Sequence, residues 1–275
     1  MKKVIGNILI YSVLIFAVLT VVYPLLWLVS TSFKPTVEIF SKPLHWIPHS
    51  FYLENYEMVF TKSTIPLAFL NSIAVSFLSA AIALLFGGLL GYGLARFRFK
   101  GKNFISLFVL MSQMLPLTVM MLPFYYIMDS IGLVDSKLGI ALCHLSISLP
   151  MVTWMIKGYV SGVPVSIEEA ATIDGCSQPQ LFVKILIPIM KPAIATTAVY
   201  AIICSWNEYA IANVLSRTTR SKTLPLSLSE FSTYFEVNWG QTMAAAVVII
   251  IPIVLIYMLI QRQFVTGITS GAVKQ

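Results

Sequence analysis

Acidic residues are scarce in this chain, eleven among 275, and the closest grouping of them is Glu168, Glu169 and Asp174. Ser166-Ile167-Glu168-Glu169 has the spacing of a capping box. In that arrangement the serine hydroxyl accepts from the Glu169 amide while the Glu169 carboxylate reaches back to the start of the helix. Carboxylates at 168 and 169 also complement the positive end of a helix dipole. Ala170 and Ala171 favour helix, and Gly175 is placed to end it in a left-handed conformation. A second helix is expected over about residues 179–186, stopping before Pro188. The chemistry on offer is non-covalent: a short polar helix–turn–helix whose carboxylates can contact another chain. The alternative is an ordinary amphipathic linker between two apolar segments.

The remaining polar residues of interest lie inside apolar runs. Trp206-Asn207-Glu208 sits near one end of a hydrophobic segment. A carboxylate within a membrane is costly and faces protein or water. Glu208 with Asn207 and Trp206 therefore suggests a polar element of a translocation path or gate, or a glutamate hydrogen-bonded to a neighbouring helix. Asn71 and Gln113 fit the same path or serve as interhelical glue. His144 has no carboxylate near it in sequence and reads as a packed side chain. Gly87, Gly88, Gly91 and Gly93 suit close helix approach. Cys143, Cys176 and Cys204 lack metal-ligand spacing and read as small apolar packers, so no metal site is expected. No glycine-rich phosphate loop with its lysine occurs, so ATP hydrolysis is not expected of this chain and no cofactor is expected to bind it. The spans show no Ser/His pair, histidine cluster or paired aspartates, which argues against an intramembrane enzyme.

These residues need a frame, and the composition points to a bilayer. The chain is 58% hydrophobic and 11% charged, against about 25% charged in soluble domains; its mean hydropathy is +0.86. A spanning helix takes about 20 mainly apolar residues. Six segments qualify, at about 5–29, 67–95, 103–127, 138–160, 193–215 and 241–262. The first follows Met1-Lys2-Lys3 and runs from Val4 to about Val29. It is too long for a signal-peptide core and no small-residue cleavage site follows, so it reads as a membrane helix. Between it and the second span, residues of about 31–64 are too polar to cross and suggest an interfacial loop with a short helix near Leu53–Phe60. The net charge of +7 comes from residues at span ends, where the positive-inside rule accounts for them without nucleic acid. Arg96-Phe97-Arg98-Phe99-Lys100-Gly101-Lys102 carries basic residues and no acid, which marks it cytoplasmic. With six spans, that places both termini and the loop of about 161–192 inside, and Asp129–Lys137 in a short outer turn. No internal repeat is visible.

The pattern Glu169-Ala170-Ala171, then Gly175, then Ile185 and Ile187-Pro188, resembles the cytoplasmic EAA loop of permease subunits in bacterial ABC importers. It departs from the commonest form at Cys176, usually alanine, and at Ile187, usually leucine. Leu94-Ala95-Arg96-Phe97-Arg98-Phe99-Lys100-Gly101, Ser205-Trp206-Asn207-Glu208-Tyr209 and the tail Phe264–Lys274 resemble the carbohydrate-uptake branch, and the chain is similar to the smaller permease subunits of maltose-type importers. The resemblance implies an all-α membrane protein of six transmembrane helices, a type I importer transmembrane domain. It would have a first helix and external loop over 1–66, a transmembrane domain over 67–262 and a cytoplasmic tail over 263–275. It further implies that Glu168, Glu169, Ala170, Ala171, Asp174, Gly175 and Pro188 couple to a separate ATPase dimer, which holds the ATP and magnesium. The other implied partners are a second permease subunit and an external sugar-binding protein. The expected activity is import of a sugar or oligosaccharide across the bacterial cytoplasmic membrane by alternating access, with no covalent chemistry on this chain. The rival reading is a secondary transporter driven by an ion gradient, which would call for broken helices or inverted repeats.

Overall fold

A computed structural model describes residues 2–229 and 238–272, with side chains over 6–229 and 238–258. The described residues are helical or irregular and contain no strand. Apolar composition and membrane-length runs leave helix as the way to satisfy every backbone group in lipid. Among the described residues, four helices are long and apolar enough to cross a bilayer: Gly6–Ser32, Ile65–Arg96, Lys137–Gly162 and Trp239–Met258. Two bent pairs bring the number to six if each counts as one span.

The contacts divide the chain into two units. The first comprises Met1–Pro66 and Ser227–Ile251. Its α1 (Lys2–Ser32) exposes large apolar side chains from Ile8 to Leu26, as a helix facing lipid would. Two short helices follow, α2 (Thr36–Ile39) and α3 (Glu54–Thr61), the latter within a residue of its expected place. Asn55 of α3 is buried and donates to the carbonyls of Ser32 (3.0 Å) and Lys34 (2.9 Å). Gly240 packs so closely on Asn55 that a Cβ there would lie 2.5 Å from its amide nitrogen.

The second unit, Leu67–Leu226 with Pro252–Gln275, carries the residues of functional interest. Its helices are α4 (Ile65–Arg96), α5 (Lys102–Met111) followed by a 3₁₀ turn at Ser112–Met114, α6 (Leu117–Ser130), α7 (Lys137–Gly162), α8 (Val165–Ile173), α9 (Gln178–Leu181), a π-helical turn at Phe182–Leu186, α10 (Ile187–Ile189), α11 (Lys191–Trp206), α12 (Ala210–Leu215) and α13 (Leu224–Ser229). The last helix of the chain, α14 (Trp239–Ala272), continues through most of the segment expected as a tail.

Two expected spans are not continuous helices. The segment of 103–127 breaks at Leu115-Pro116, and its two halves meet at 100°. Pro116 lacks an amide proton and forces Leu115 into an extended conformation (ψ 125°), which ends the preceding turn. The segment of 193–215 ends its first helix at Trp206 and restarts at Ala210. Before Trp206 the chain bends by 81° between Gln178–Ile189 and Lys191–Trp206. Of the four glycines on α4, two permit close approach. A Cβ at Gly91 would lie 2.7 Å from the Thr153 carbonyl, and one at Gly87 2.9 Å from Val152, both on α7. Gly88 meets nothing within 4 Å and Gly93 only the edge of Phe97. The core of this unit collects Ala83, Tyr92, Val152, Ile156, Leu181, Leu186 and Ala201, so α4, α7 and α11 close around the π-helical segment.

Candidate functional site

The α7–α11 connection forms a helix–turn–helix, with a different start from the one its sequence suggests. Pro164 is the N-cap of α8, with φ −58° and ψ 132°. The helix therefore begins at Val165, two positions early for a Ser166–Glu169 box. Neither side chain makes a cap hydrogen bond among the described residues, and both are exposed. The capping box belongs instead to α9, where the Ser177 amide donates to Gln180 Oε1 at 3.0 Å. Gly175 lies in the left-handed region at φ +86°. The Cys176 amide reaches the Ala171 carbonyl and the Gly175 amide the Thr172 carbonyl, each at 3.0 Å, which together make a Schellman end.

The two glutamates have different surroundings. Glu168 turns inward and pairs with Arg96 Nε at the end of α4, while Arg96 Nη2 donates to the Val163 carbonyl at 2.7 Å. This ties α8 to the α4 terminus. Glu169, Ala170, Asp174 and Gly175 are exposed, and the Glu169 and Asp174 carboxylates have no hydrogen bond or ion pair among the described residues. Ala171 is buried and seats the helix. The second helix does not stop before Pro188. A π-helical turn, in which the Ile187 amide reaches back to Phe182, precedes it, and helix continues to Ile189. The wider turn relieves the clash of the proline ring with the carbonyl four residues before it.

A second polar group joins α7 to the α11–α12 junction. His144 Nδ1 is 2.7 Å from Ser205 Oγ and Nε2 is 3.1 Å from Glu208 Oε2. A neutral ring donates through Nε2 and accepts the serine hydroxyl at Nδ1. The Glu208 carboxylate also accepts from the amides of Ala210 (2.8 Å), Ile211 (3.0 Å) and Ala212 (3.3 Å), capping α12 where α11 has broken. His144 has no carboxylate near it in sequence, because Glu208 is far away along the chain. Ser205, His144 and Glu208 are buried with the carboxylate used as a cap, so no open face remains for nucleophilic attack. Trp206 is buried against Phe69, rings edge-on at 6.0 Å, and its indole nitrogen has no hydrogen-bond partner among the described residues. Asn207 is exposed. Asn71 is fully buried and donates to the carbonyls of Thr219 (3.1 Å) and Lys222 (2.9 Å).

The same end of the unit has a second carboxylate hub. Asp135, at φ +57° between α6 and α7, accepts from the amides of Arg217 (3.0 Å) and Thr218 (3.1 Å) and from the hydroxyls of Thr218 (2.6 Å) and Ser221. Burial alone would raise its carboxyl. The hydrogen bonds from Ser221, Thr218 and Arg217 outweigh that and bring it down to about 2. Gln113 stands apart from both clusters. It is exposed and lines a cleft of about 430 Å³ with Ser112, Met120, Ser146 and Tyr200.

Broken apolar helices around a helix–turn–helix that leaves Glu169 and Asp174 unpartnered among the described residues fit an integral membrane transport component. The chain belongs to the family of binding-protein-dependent transport system inner membrane components, whose model matches residues 83–270. It is 33% identical over 253 residues to the diacetylchitobiose uptake system permease protein DasC of Streptomyces coelicolor, covering 92% of each chain. It is 34% identical to the arabinooligosaccharides transport system permease protein AraQ of Halalkalibacterium halodurans, over 92% of this chain and 91% of that one. Its fold matches a chain in the crystal structure of a bacterial ABC transporter involved in import of the acidic polysaccharide alginate. The TM-score is 0.82 at 23% identity, with 95% of this chain and 97% of that one covered. The fold is that of a type I importer transmembrane domain, and the protein is a multi-pass membrane permease component. None of these likenesses supports the ion-gradient alternative.

Proposed function

We propose that this chain is one permease subunit of an ATP-driven importer of a sugar or oligosaccharide, working with a second permease subunit, an ATPase dimer and an external binding protein. The named relatives, which carry diacetylchitobiose and arabino-oligosaccharides, support the substrate class. The coupling reading is carried by one observation: α8 is anchored from behind by Arg96–Glu168 and terminated at Gly175, while Glu169 and Asp174 face outward without partners. Such a helix is held firmly enough to transmit a push and leaves its polar face free for another chain. In this reading the loop of 161–192 and the basic turn Arg96–Lys102 face the cytosol, and the ATPase dimer grips the loop. Closure of the dimer moves α8–α10 and, through the core around Leu181 and Leu186, the spans.

The test is uptake by the assembled importer in vesicles, with ATP inside and trehalose, arabinotriose or diacetylchitobiose outside. ATP-dependent accumulation of at least one saccharide is expected. Accumulation of none, with amino acids or peptides carried instead, would remove the sugar assignment.

A further inference from the structure

Lys157 is a cation inside a spanning helix and makes no ion pair among the described residues. Its ammonium lies 3.2 Å from the Ser106 hydroxyl on α5 and 4.2 Å over the ring of Trp154, one turn back on α7. Both contacts are neutral. With 26 residues, α7 is about 39 Å long against about 30 Å of hydrocarbon. Lys157 stands five residues from its end at Gly162. Centred on the bilayer, α7 carries the Lys157 Cα about 3 Å inside the apolar layer. A charge there is costly and marks a contact whose counter-charge has to be found. The backbone cannot retreat, because Gly91 of α4 packs against it. A Cβ at Gly91 would lie 3.0 Å from the Lys157 amide nitrogen.

The free donors at this junction call for an acceptor with more than one oxygen. An ammonium has three N–H groups, and the Ser106 oxygen takes one. Ser106 is only 6% exposed, and its hydroxyl proton has no acceptor among the described residues. Ser112, Ser146 and Ser161 differ, each donating to a carbonyl three or four residues back. Lys102, one turn before Ser106, adds a second ammonium. It reaches the Ala95 carbonyl at 3.4 Å and pairs with no acid among the described residues. Arg98 and Lys100, in the turn before α5, are exposed and also without an ion pair among the described residues. The outer face of α5 is apolar. Phe104 and Phe108 stack with ring centroids 6.4 Å apart and are 71% and 65% exposed, as on a helix that borders lipid. An anion that meets cations and a bare apolar helix together is the head of an amphiphile, and basic pockets between membrane helices take acidic lipid headgroups.

We infer that the α5–α7 junction is a binding site for one anionic phospholipid. Its phosphodiester oxygens accept from Lys157 and the Ser106 hydroxyl, Lys102 borders the headgroup, and the acyl chains run along α5. The site goes beyond the sugar-importer reading and uses that reading's orientation only to place the lipid in the cytoplasmic leaflet.

The experiment uses the complete importer in nanodiscs of mixed phosphatidylglycerol and phosphatidylcholine. Native mass spectrometry of the released complex counts the lipids that stay bound. The wild type is expected to keep one phosphatidylglycerol in preference to phosphatidylcholine. Lys157→Gln should weaken that preference about fivefold, the worth of one lysine beside an acidic lipid. Lys157→Arg should restore it, and Lys100→Gln, in the exposed turn, should leave it unchanged. Inorganic phosphate should not displace the lipid. Equal retention of the two lipids by the wild type overturns the site, even if Lys157→Gln fails to assemble. Undiminished phosphatidylglycerol on Lys157→Gln overturns it too. Displacement by inorganic phosphate would make the junction a free-anion site and overturn the lipid assignment. Loss of the second permease subunit from Lys157→Gln, with no lipid selectivity in the wild type, would assign Lys157 to a partner carboxylate instead. Saccharide uptake by the same preparation tests the importer reading separately, so failure of the lipid site leaves that reading standing.

Discussion

Two settings for carboxylates divide this subunit. Near the α8 turn, Glu169 and Asp174 are exposed and unpartnered among the described residues. At the far ends of α6, α11 and α12, Asp135 and Glu208 are saturated: the first accepts from two amides and two hydroxyls, the second from three amides and a histidine. An acid whose lone pairs are filled by its own chain is part of the fold. An acid left open beside an anchored helix is available to a partner. Substitutions should therefore damage stability at one end and assembly at the other, and each prediction below tests that separation.

The largest stability loss is expected at Glu208. Glu208→Ala strips the α12 cap, which costs about 0.5–2 kcal/mol, and leaves the buried His144 N–H without its acceptor, which costs about 1–3 kcal/mol more. A large fall in melting temperature of the purified protein would be the signature. An unchanged melting temperature would show that the carboxylate is spare. Next comes Gly175→Val, which forces a β-branched residue to φ +86° where nothing crowds its side chain. The strain, about 1–3 kcal/mol, falls on the turn that aims α9. The chain should still insert, with sugar uptake lost, as read by membrane fractionation beside transport. Arg96→Ala leaves Glu168 without its cation and should cost about 1.5–3 kcal/mol. ATP hydrolysis should then run without proportionate uptake, measured as the ratio of the two rates in vesicles.

Asp135 gives a smaller and pH-dependent effect. Its native carboxyl lies near 2, below the ordinary 3.8. Its stabilisation is complete above about pH 4 and is lost as pH falls toward 2. Hydrogen exchange at the Arg217 and Thr218 amides should be protected equally at pH 5 and pH 8 after correction for intrinsic rate, and Asp135→Asn should weaken protection at both. Glu169→Ala should be the mildest for stability, within about 0.5 kcal/mol as for exposed sites generally.

The same division sets how much the sequence revealed. The helix–turn–helix is legible because its signals are local: two alanines and a glycine placed for positive φ. The cap was misplaced because Pro164 starts α8 early, and proline at a helix start competes with the serine for that role. The filled acids were harder to recognise. Glu208 lies in an apolar run that passes for one span, and its partner His144 is brought to it only by the packing of α7 against α11. An acid two residues before Ala210 is a local helix-start signal, and of the two readings open for Glu208, a path residue or a glutamate hydrogen-bonded to a neighbouring helix, the contact with His144 on α7 matches the second. The break at Pro116 was masked for another reason. Pro24, Pro123, Pro150 and Pro252 all stay inside helices, so proline alone does not mark where a span gives way.

The central claim is that α8 presents its open acids to the ATPase, and Glu169→Lys tests it most directly. The exposed site should tolerate the change in the isolated subunit, while a reversed charge there opposes both the helix dipole and a cationic partner. The measurement is co-purification of the ATPase with the tagged permease, alongside the subunit's melting temperature. The account predicts a permease that melts as the wild type does and recovers several-fold less ATPase. Full recovery of ATPase with normal transport would contradict it and reduce the turn to a linker between two spans.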